Sequence, residues 1–434
     1  MASRALVVGG LTSGSGKTTV TLGLLRALAS AGHSISAAKT GPDYIDSAFL
    51  GAAALSPAIN LDSHAMTPEM VRHLAAARSG KTLIVEGVMG LFDGTDGGSG
   101  STAQLAATLG APIILVLDTR HQGQTAAALA AGIKSQLPAG TKLAGVVLNR
   151  VASPRHEALI VEALTQRGIP HFGSLATTPS MEVPSRHLGL VQAADLAAMG
   201  ELEPRIEAAA GLVGSSLNLD SVIAAAGPLQ ATGHTKRLPP PGQHIAVAND
   251  IAFGFAYTHM LEGWRAAGAG ITPFSPLADE APSADADFIF LPGGYPELHL
   301  SALTNAGRFH DGLRAAASRG VRIYGECGGF MTLGEAIIDA DGTSYPMAGI
   351  LRLETSFAAR KLHLGYRGLT PLADFWPGLG PVTGHEFHYT TAITAEGEPL
   401  FQVRNAAGTD ISADPGAAGL VNGSVCGSYS HIIA

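Results

Sequence analysis

The segment Gly10-Leu-Thr-Ser-Gly-Ser-Gly-Lys17-Thr18-Thr19 lies between an apolar run at residues 5–8 and a helical pattern. A glycine-rich turn at this junction, closed by Lys-Thr-Thr, has the chemistry of a phosphate-binding loop. Its backbone N–H groups turn inward, the lysine reaches the terminal phosphates and the first threonine can ligate Mg²⁺. Such a loop commits the chain to a strand–loop–helix unit and so to an α/β layer architecture. Further apolar runs at 35–39, 83–86, 113–117 and 143–149 alternate with alanine- and leucine-rich helical stretches. Continuous apolar strands separated by helices predict a doubly wound parallel sheet covered on both faces. Residues 191–227 read as further helices. The polar, proline-rich stretch that follows has no periodicity and reads as a linker.

After it the α/β rhythm restarts with apolar runs at 244–248, 288–291 and 321–324. The predicted organisation is an ATP-binding domain at 1–232, a linker at 233–242 and a second α/β domain at 243–434. In that second domain Gly325-Glu-Cys327-Gly328-Gly329 follows an apolar run. Flanking glycines permit the strained strand-to-helix turn that exposes a nucleophile at a helix N-terminus, where the dipole is expected to lower the thiol pKa. Gly293-Gly294-Tyr-Pro-Glu297 follows its own strand. The backbone N–H groups of Gly294 and Gly328 are candidates for an oxyanion hole. His431, at position 431 of 434, is the candidate base. A nucleotide site joined to a thiol hydrolase points to ATP-driven transfer of glutamine nitrogen onto a carboxylate.

Composition narrows the partners. The net charge of -8 argues against nucleic acid, and no stretch reaches the ~18–20 apolar residues of a membrane span. The run at 5–8 is too short for a signal peptide and passes straight into the glycine loop. Two cysteines, Cys327 and Cys426, make neither a disulfide framework nor a Cys-x-x-Cys metal site, which suits a reduced, cytoplasmic setting. Cys426 has no activating neighbour and reads as core. A homodimer is the base-rate expectation.

Acidic loops fill in the first site. Lys39-Thr-Gly-Pro-Asp43-Tyr44-Ile-Asp46 leaves the second strand, and Glu86-Gly-Val-Met-Gly-Leu-Phe-Asp93 ends the third. Loops at the carboxyl ends of parallel strands converge on one crevice. Asp43, Asp46 and Glu86 are therefore candidates to hold Mg²⁺ with Thr18, and Lys39 to neutralise a transferred phosphate. Gly14, Ser15, Gly16, Lys17, Thr18 and Thr19 form the nucleotide loop. Asn149 is a candidate to read adenine through its amide. Asp118-Thr119 has the look of a metal-binding strand end, or of a helix cap.

Gly10 and Gly16 are separated by five residues, one more than in the standard loop, and this spacing resembles dethiobiotin synthetase and its relatives. Lys39-Thr-Gly-Pro-Asp-Tyr-Ile-Asp46, Asn60-Leu-Asp-Ser63, Glu86-Gly-Val-Met-Gly-Leu-Phe-Asp-Gly94 and Gly145-Val-Val-Leu-Asn-Arg150 resemble the cobyrinic/hydrogenobyrinic acid a,c-diamide synthases. The second domain is similar to class I glutamine amidotransferases, and the resemblance spans essentially residues 2–434. It implies ATP- and glutamine-dependent amidation of the a and c acetates of hydrogenobyrinic or cobyrinic acid, through acyl phosphates, in cobalamin biosynthesis. It places Asp43, Asp46 and Glu86 at ATP–Mg²⁺, and Tyr44 and Asp93 in loops facing the macrocycle.

The chain departs from the class I pattern at one point. A glutamate normally follows the histidine by two residues, and here that position is Ile433. A Cys–His dyad with slow or coupling-dependent glutamine hydrolysis is expected. Gly384-His385-Glu386-Phe-His388 and Leu364-Gly-Tyr-Arg367 also look family-like. His385, Glu386 and His388 read as pocket support rather than a metal site, and Arg367 as a residue facing an interface or substrate carboxylates. Two rivals stay open. A nickel-sirohydrochlorin a,c-diamide synthase would share the layout. A ParA/MinD-like switch would carry a lysine where this chain has Thr12, and would not need an intact Cys327–His431 pair.

Overall fold

The computed structural model describes residues 3–78, 80–95, 98–177, 192–229, 235 and 237–434. The chain forms two compact units, Met1–Lys236 and Arg237–Ala434. Positions 233, 234 and 236 of the expected linker lie outside the described residues.

The first unit is built on β1 (Arg4–Gly10), β2 (Ile35–Thr40), β3 (Ile59–Leu61), β4 (Thr82–Glu86), β5 (Ile113–Asp118), β6 (Leu143–Val151) and β7 (His171–Ala176). They are parallel and lie in the order β3-β2-β4-β1-β5-β6-β7, with β8 (Gly227–Pro228) antiparallel at the start of β1. Ala5, Leu6, Val7 and Val8 of β1 are wholly buried, as are Leu83, Ile84 and Val85 of β4. A strand covered on both faces reads as a continuous apolar run, which is why these were legible. Missed strands β3 and β7 have simple causes. The first is three residues long, and the second, His-Phe-Gly-Ser-Leu-Ala, mixes polar and apolar residues.

The phosphate loop leaves β1 at the centre of the sheet and enters helix α1 (Lys17–Ser30). Register pairs Val8 with Glu86 and Lys39 with Glu86, so the ends of β1, β2 and β4 open onto one crevice. The helix Leu202–Ser216 packs on α1, where buried Arg26 makes ion pairs with Glu203 and Glu207.

The second unit carries a parallel sheet of β9 (His244–Ala248), β10 (Gly270–Phe274), β11 (Phe288–Leu291) and β12 (Arg322–Glu326), in the order β10-β9-β11-β12. It continues through Val425–Ser428, parallel to β12, into two antiparallel edge segments. Trp264, Phe290, Tyr324 and Trp376 pack together beneath it, and Trp376 Nε1 donates to Pro239 O at 2.9 Å. A separate antiparallel sheet joins His363–Pro371, Val382–His388, Phe401–Asn405 and Ser430–Ile432. The chain thus leaves the main sheet at Ser428 and enters the antiparallel one at Ser430. That step brings its last strand beside the end of β12. No helix among the described residues is long and apolar enough to cross a membrane.

Candidate active site

The loop of the first unit is shaped by its glycines. Gly16 has φ +92°, and a Cβ there would sit 2.1 Å from the amide nitrogen of Asn149. Only glycine fits both demands. Asn149 Nδ2 donates to Ser15 O at 2.9 Å, while its Oδ1 accepts the Arg150 N–H at 3.0 Å. Each end of the expected adenine reader thus makes one backbone contact, and the side chain braces the loop from behind. Lys17 Nζ is held at the loop, donating to Thr12 O at 3.0 Å and Met89 O at 2.6 Å. Burial lowers its pKa, with Glu86 acting in the opposite sense.

Four of the predicted polar residues meet at the strand ends. Thr18 Oγ1 donates to Glu86 Oε1 at 2.6 Å, and Lys39 Nζ lies 3.0 Å from the same oxygen and pairs with Asp46. Glu86 is wholly buried, and its Oε2 has no hydrogen-bond partner among the described residues. Asp43 caps helix α2 (Tyr44–Ala53), its Oδ1 accepting the Asp46 N–H at 2.9 Å. Burial, then Asp46, pushes the Asp43 carboxyl up to about 7, and burial raises Glu86 as well. Lys39 loses to burial but gains more from Glu86, Asp46 and Asp43, so its net shift is upward. Three carboxyl groups stand against Lys17 and Lys39, and one buried oxygen, Glu86 Oε2, is left open among the described residues. That donor set fits a hard divalent cation bound through oxygen.

Three more residues of the first unit have defined places. Arg120 and Arg150 hold the Asp118 carboxylate at 2.8 and 2.7 Å. These cations help to hold its pKa down against burial. Tyr44, expected in a loop facing a macrocycle, is the first residue of α2 and is only 8% exposed. Asp93 does sit in an exposed loop, where its Oδ2 accepts the Gly90 N–H at 2.9 Å. The same loop exposes Met89 and Phe92, two large apolar side chains that the sequence reading passed over.

In the second unit Cys327 sits at φ +47° between β12 and the helix Gly328–Leu333, the strained turn expected of a nucleophile elbow. Its N–H donates to Ser428 O at 2.8 Å and its Sγ lies 3.8 Å from Phe387 O. A Cβ on Gly293 would fall 3.2 Å from Cys327 Cβ, 2.2 Å from His431 Cε1 and 2.9 Å from His431 Nε2. Nucleophile and base therefore flank one point. A Cβ on Gly328 would lie 3.1 Å from the Gly294 nitrogen, so the two oxyanion candidates adjoin.

The expected lowering of the thiol pKa is overturned. Burial pushes Cys327 well up, Glu297, Glu326 and Glu386 push it further, and the Gly328 N–H only partly opposes them. Burial, with His385 and His388, also holds His431 down to about 3, so the imidazole rests neutral and able to accept a proton.

Glu386 is the hub of a supporting network. Its Oε2 accepts Arg367 Nε at 2.6 Å, and its Oε1 lies 2.7 Å from His388 Nε2. His388 stacks between His363 and Tyr429, at centroid distances of 4.6 and 3.8 Å. Tyr429 begins the segment that carries His431. Arg367, expected to face an interface or substrate carboxylates, here pairs with Glu386 in this network. His363, Glu386 and His388 bring ligand atoms within 4.8 Å of one another, but the guanidinium already supplies the cation. Cys426 is buried in the main sheet, and burial raises its thiol.

Each unit matches a known family of domains. Residues 6–191 match the CobQ/CobB/MinD/ParA nucleotide binding domain, and 244–434 match the CobB/CobQ-like glutamine amidotransferase domain. Hydrogenobyrinate a,c-diamide synthase of Rhizobium meliloti (strain 1021) is 50% identical over 432 residues, 99% of this chain and 98% of that protein. The chain belongs to the hydrogenobyrinate a,c-diamide synthase family. The enzyme of the same name from Brucella anthropi is 48% identical, again over 99% of this chain and 98% of its own length. That from Rhodobacter capsulatus is 46% identical over 99% of each chain. A member of this family is a glutamine-dependent ligase with a nucleotide-binding domain.

Proposed function

We propose that this chain amidates the a and c acetate carboxylates of hydrogenobyrinic acid, using ATP and glutamine, as a step of cobalamin biosynthesis. The pairing of the Thr18–Lys39–Glu86 cluster in one unit with the Cys327–His431 pair in the other carries the reading. Full-length relatives named for hydrogenobyrinate support the substrate over its cobalt-bearing or nickel-bearing analogues.

Cys327 Sγ attacks the side-chain amide carbon of glutamine while His431 takes the thiol proton and returns it to the departing nitrogen. The N–H groups of Gly294 and Gly328 receive the developing oxyanion. Water then cleaves the thioester, releasing glutamate and restoring the thiol. In the first unit the macrocycle carboxylate takes the terminal phosphoryl group of ATP, with Lys17 and Lys39 neutralising the transferred charge. Ammonia attacks the acyl phosphate carbon, phosphate leaves, and the amide remains. A carboxylate is inert to ammonia until one of its oxygens becomes a leaving group.

Thr18, Asp46, Glu86 and Asp43 are the residues that would hold Mg²⁺, which lowers the cost of gathering phosphate charge in the crevice. Asn149 would keep the loop in its nucleotide-binding shape through Ser15. Met89 and Phe92 offer apolar contact beside Asp93, a combination suited to a flat macrocycle bearing acetate arms.

The test incubates purified protein with Mg-ATP, glutamine and, in parallel, hydrogenobyrinic, cobyrinic or nickel-sirohydrochlorin substrate, and counts amide groups by mass spectrometry. A diamide from hydrogenobyrinic acid is expected, and a Cys327→Ser variant should make it from ammonia but not from glutamine. Preference for another ring would reassign the substrate. Indifference to Cys327→Ser would overturn the glutaminase reading.

A further inference from the structure

A buried carboxyl stands beside the glutaminase pair and has no part in the scheme above. Glu326 ends β12, one residue before the nucleophile, and its side chain is 1% exposed. Its Oε1 accepts the backbone N–H of Ile432 at 3.0 Å, and its Oε2 lies 3.7 Å from His431 Nδ1. Strand register produces the meeting. Glu326 pairs with Ser428, after which the chain turns into Ser430–Ile432 and carries His431 back across the carboxyl. The two ring nitrogens of His431 are thereby divided. Nδ1 faces Glu326, while the Nε2–Cε1 edge borders Gly293 and Cys327.

We propose that Glu326 is the positioning acid of His431, supplying from the residue before the nucleophile the carboxylate that Ile433 does not supply after the base. The inference rests on the reading of Cys327 and His431 as a glutaminase pair. Glu386, another buried carboxylate nearby, is already committed to Arg367 and His388. The tie from Ile432 N–H to Glu326 Oε1 fixes the carboxyl to the residue next to the histidine, so ring and acid keep one geometry.

The proton balance is simple. As Cys327 attacks, its proton moves from Sγ to Nε2 and then to the departing glutamine nitrogen, while Nδ1 keeps its own proton throughout. Glu326 neither gains nor loses a proton in the cycle. It offsets the positive charge that appears on a wholly buried imidazole, where an unpaired cation is strongly disfavoured. At 3.7 Å the two groups stand just outside hydrogen-bond range at rest, and the contact must tighten when substrate binds, as catalytic contacts often do.

The working form is the carboxylate, and burial pushes the Glu326 carboxyl up to about 8. The groups around it are Tyr324 and Cys327 from its own chain segment, Ser428 from the neighbouring strand, His431 from the last strand, Glu297 near the thiol, and His385, Glu386 and His388 beyond the imidazole. None of these places a second cation against Glu326. Deprotonation with rising pH should therefore raise the rate of glutamine hydrolysis through about pH 8.

Glutamate release from glutamine, with Mg-ATP present and macrocycle absent, tests this in wild type, Glu326→Gln and Glu326→Asp from pH 6 to 9.5. Glu326→Gln should lower kcat roughly 10²–10⁴-fold, leave KM for glutamine within about threefold, and lose the rise near pH 8. Glu326→Asp should retain the rise with an intermediate kcat, and it carries the test if the glutamine variant does not fold. A variant with wild-type kcat and an intact rise, or a loss expressed only in KM, would overturn the assignment. A wild-type chain that releases no glutamate would instead overturn the glutaminase reading on which it stands.

Discussion

Thr18 Oγ1 donates to Glu86 Oε1 at 2.6 Å, joining the first turn of α1 to the end of β4. The hydroxyl belongs to the nucleotide loop and the carboxylate to the strand beside it, so the contact exists only once the parallel sheet has formed. Lys39 closes the same group from β2 at 3.0 Å.

Replacing Thr18 by Val should therefore do more than remove a hydroxyl from the loop. It leaves the buried Glu86 carboxylate with Lys39 as its partner and takes one oxygen from the proposed cation site. ATP-dependent amidation, measured with ammonia as nitrogen source, is expected to fall roughly 10²–10³-fold, the scale for losing one preorganised electrostatic contact. The Mg²⁺ concentration needed for half-maximal rate should rise in parallel. Activity within a few-fold of wild type at unchanged Mg²⁺ demand would show that the threonine serves only the fold.

How much of this was legible in the sequence depends on how far apart the partners stand. Lys17, Thr18 and Cys327 announce themselves because each sits in a turn whose glycines, strand and helix lie within a dozen residues. Glu86 and Lys39 were legible at one remove, since parallel strands bring their carboxyl ends together. The Glu326–His431 meeting was not, because it depends on the chain crossing between two sheets at Tyr429 and on the register of a three-residue strand. Asn149 was seen as polar and well placed, but its direction, toward Ser15 O, is a tertiary fact. The thiol pKa was misjudged for a similar reason. A helix start can be read from a motif, whereas the burial that raises the thiol pKa, and the carboxylates of Glu297, Glu326 and Glu386 that add to it, exist only in the folded chain, two of the three lying distant in sequence.

Gly293 gives a prediction that separates the two activities. A methyl group there would meet His431 Cε1 at 2.2 Å and must displace the imidazole or the loop. Gly293→Ala should lower glutamine-dependent amidation at least about 100-fold, since a small misplacement of a catalytic group costs on that order. Ammonia-dependent amidation should stay within about threefold of wild type, because the first unit has its own core and site. Parallel loss of both rates would mean that the substitution unfolds more than the pocket.

The Glu386 network sets the response of the second unit to acid. Burial by itself would raise this carboxyl, but His388 and Arg367 overcome it and hold it down to about 2. A depressed acid stabilises the fold above its unfolded pKa, near 4.5, and that contribution is lost as pH falls toward 2. Arg367→Met removes the guanidinium and leaves the carboxylate buried. The expected cost at pH 7 is about 3 kcal/mol, the scale for breaking a buried pair from one side. The acid transition should also begin at higher pH, because Glu386 then protonates more readily. Urea unfolding of wild type and variant between pH 7 and 3, followed through the tryptophans Trp264 and Trp376 of the second unit, measures both effects. If the variant matches wild type across that range, the ion pair contributes no net stability and the stacked rings of His363, His388 and Tyr429 must hold the last strand by packing alone.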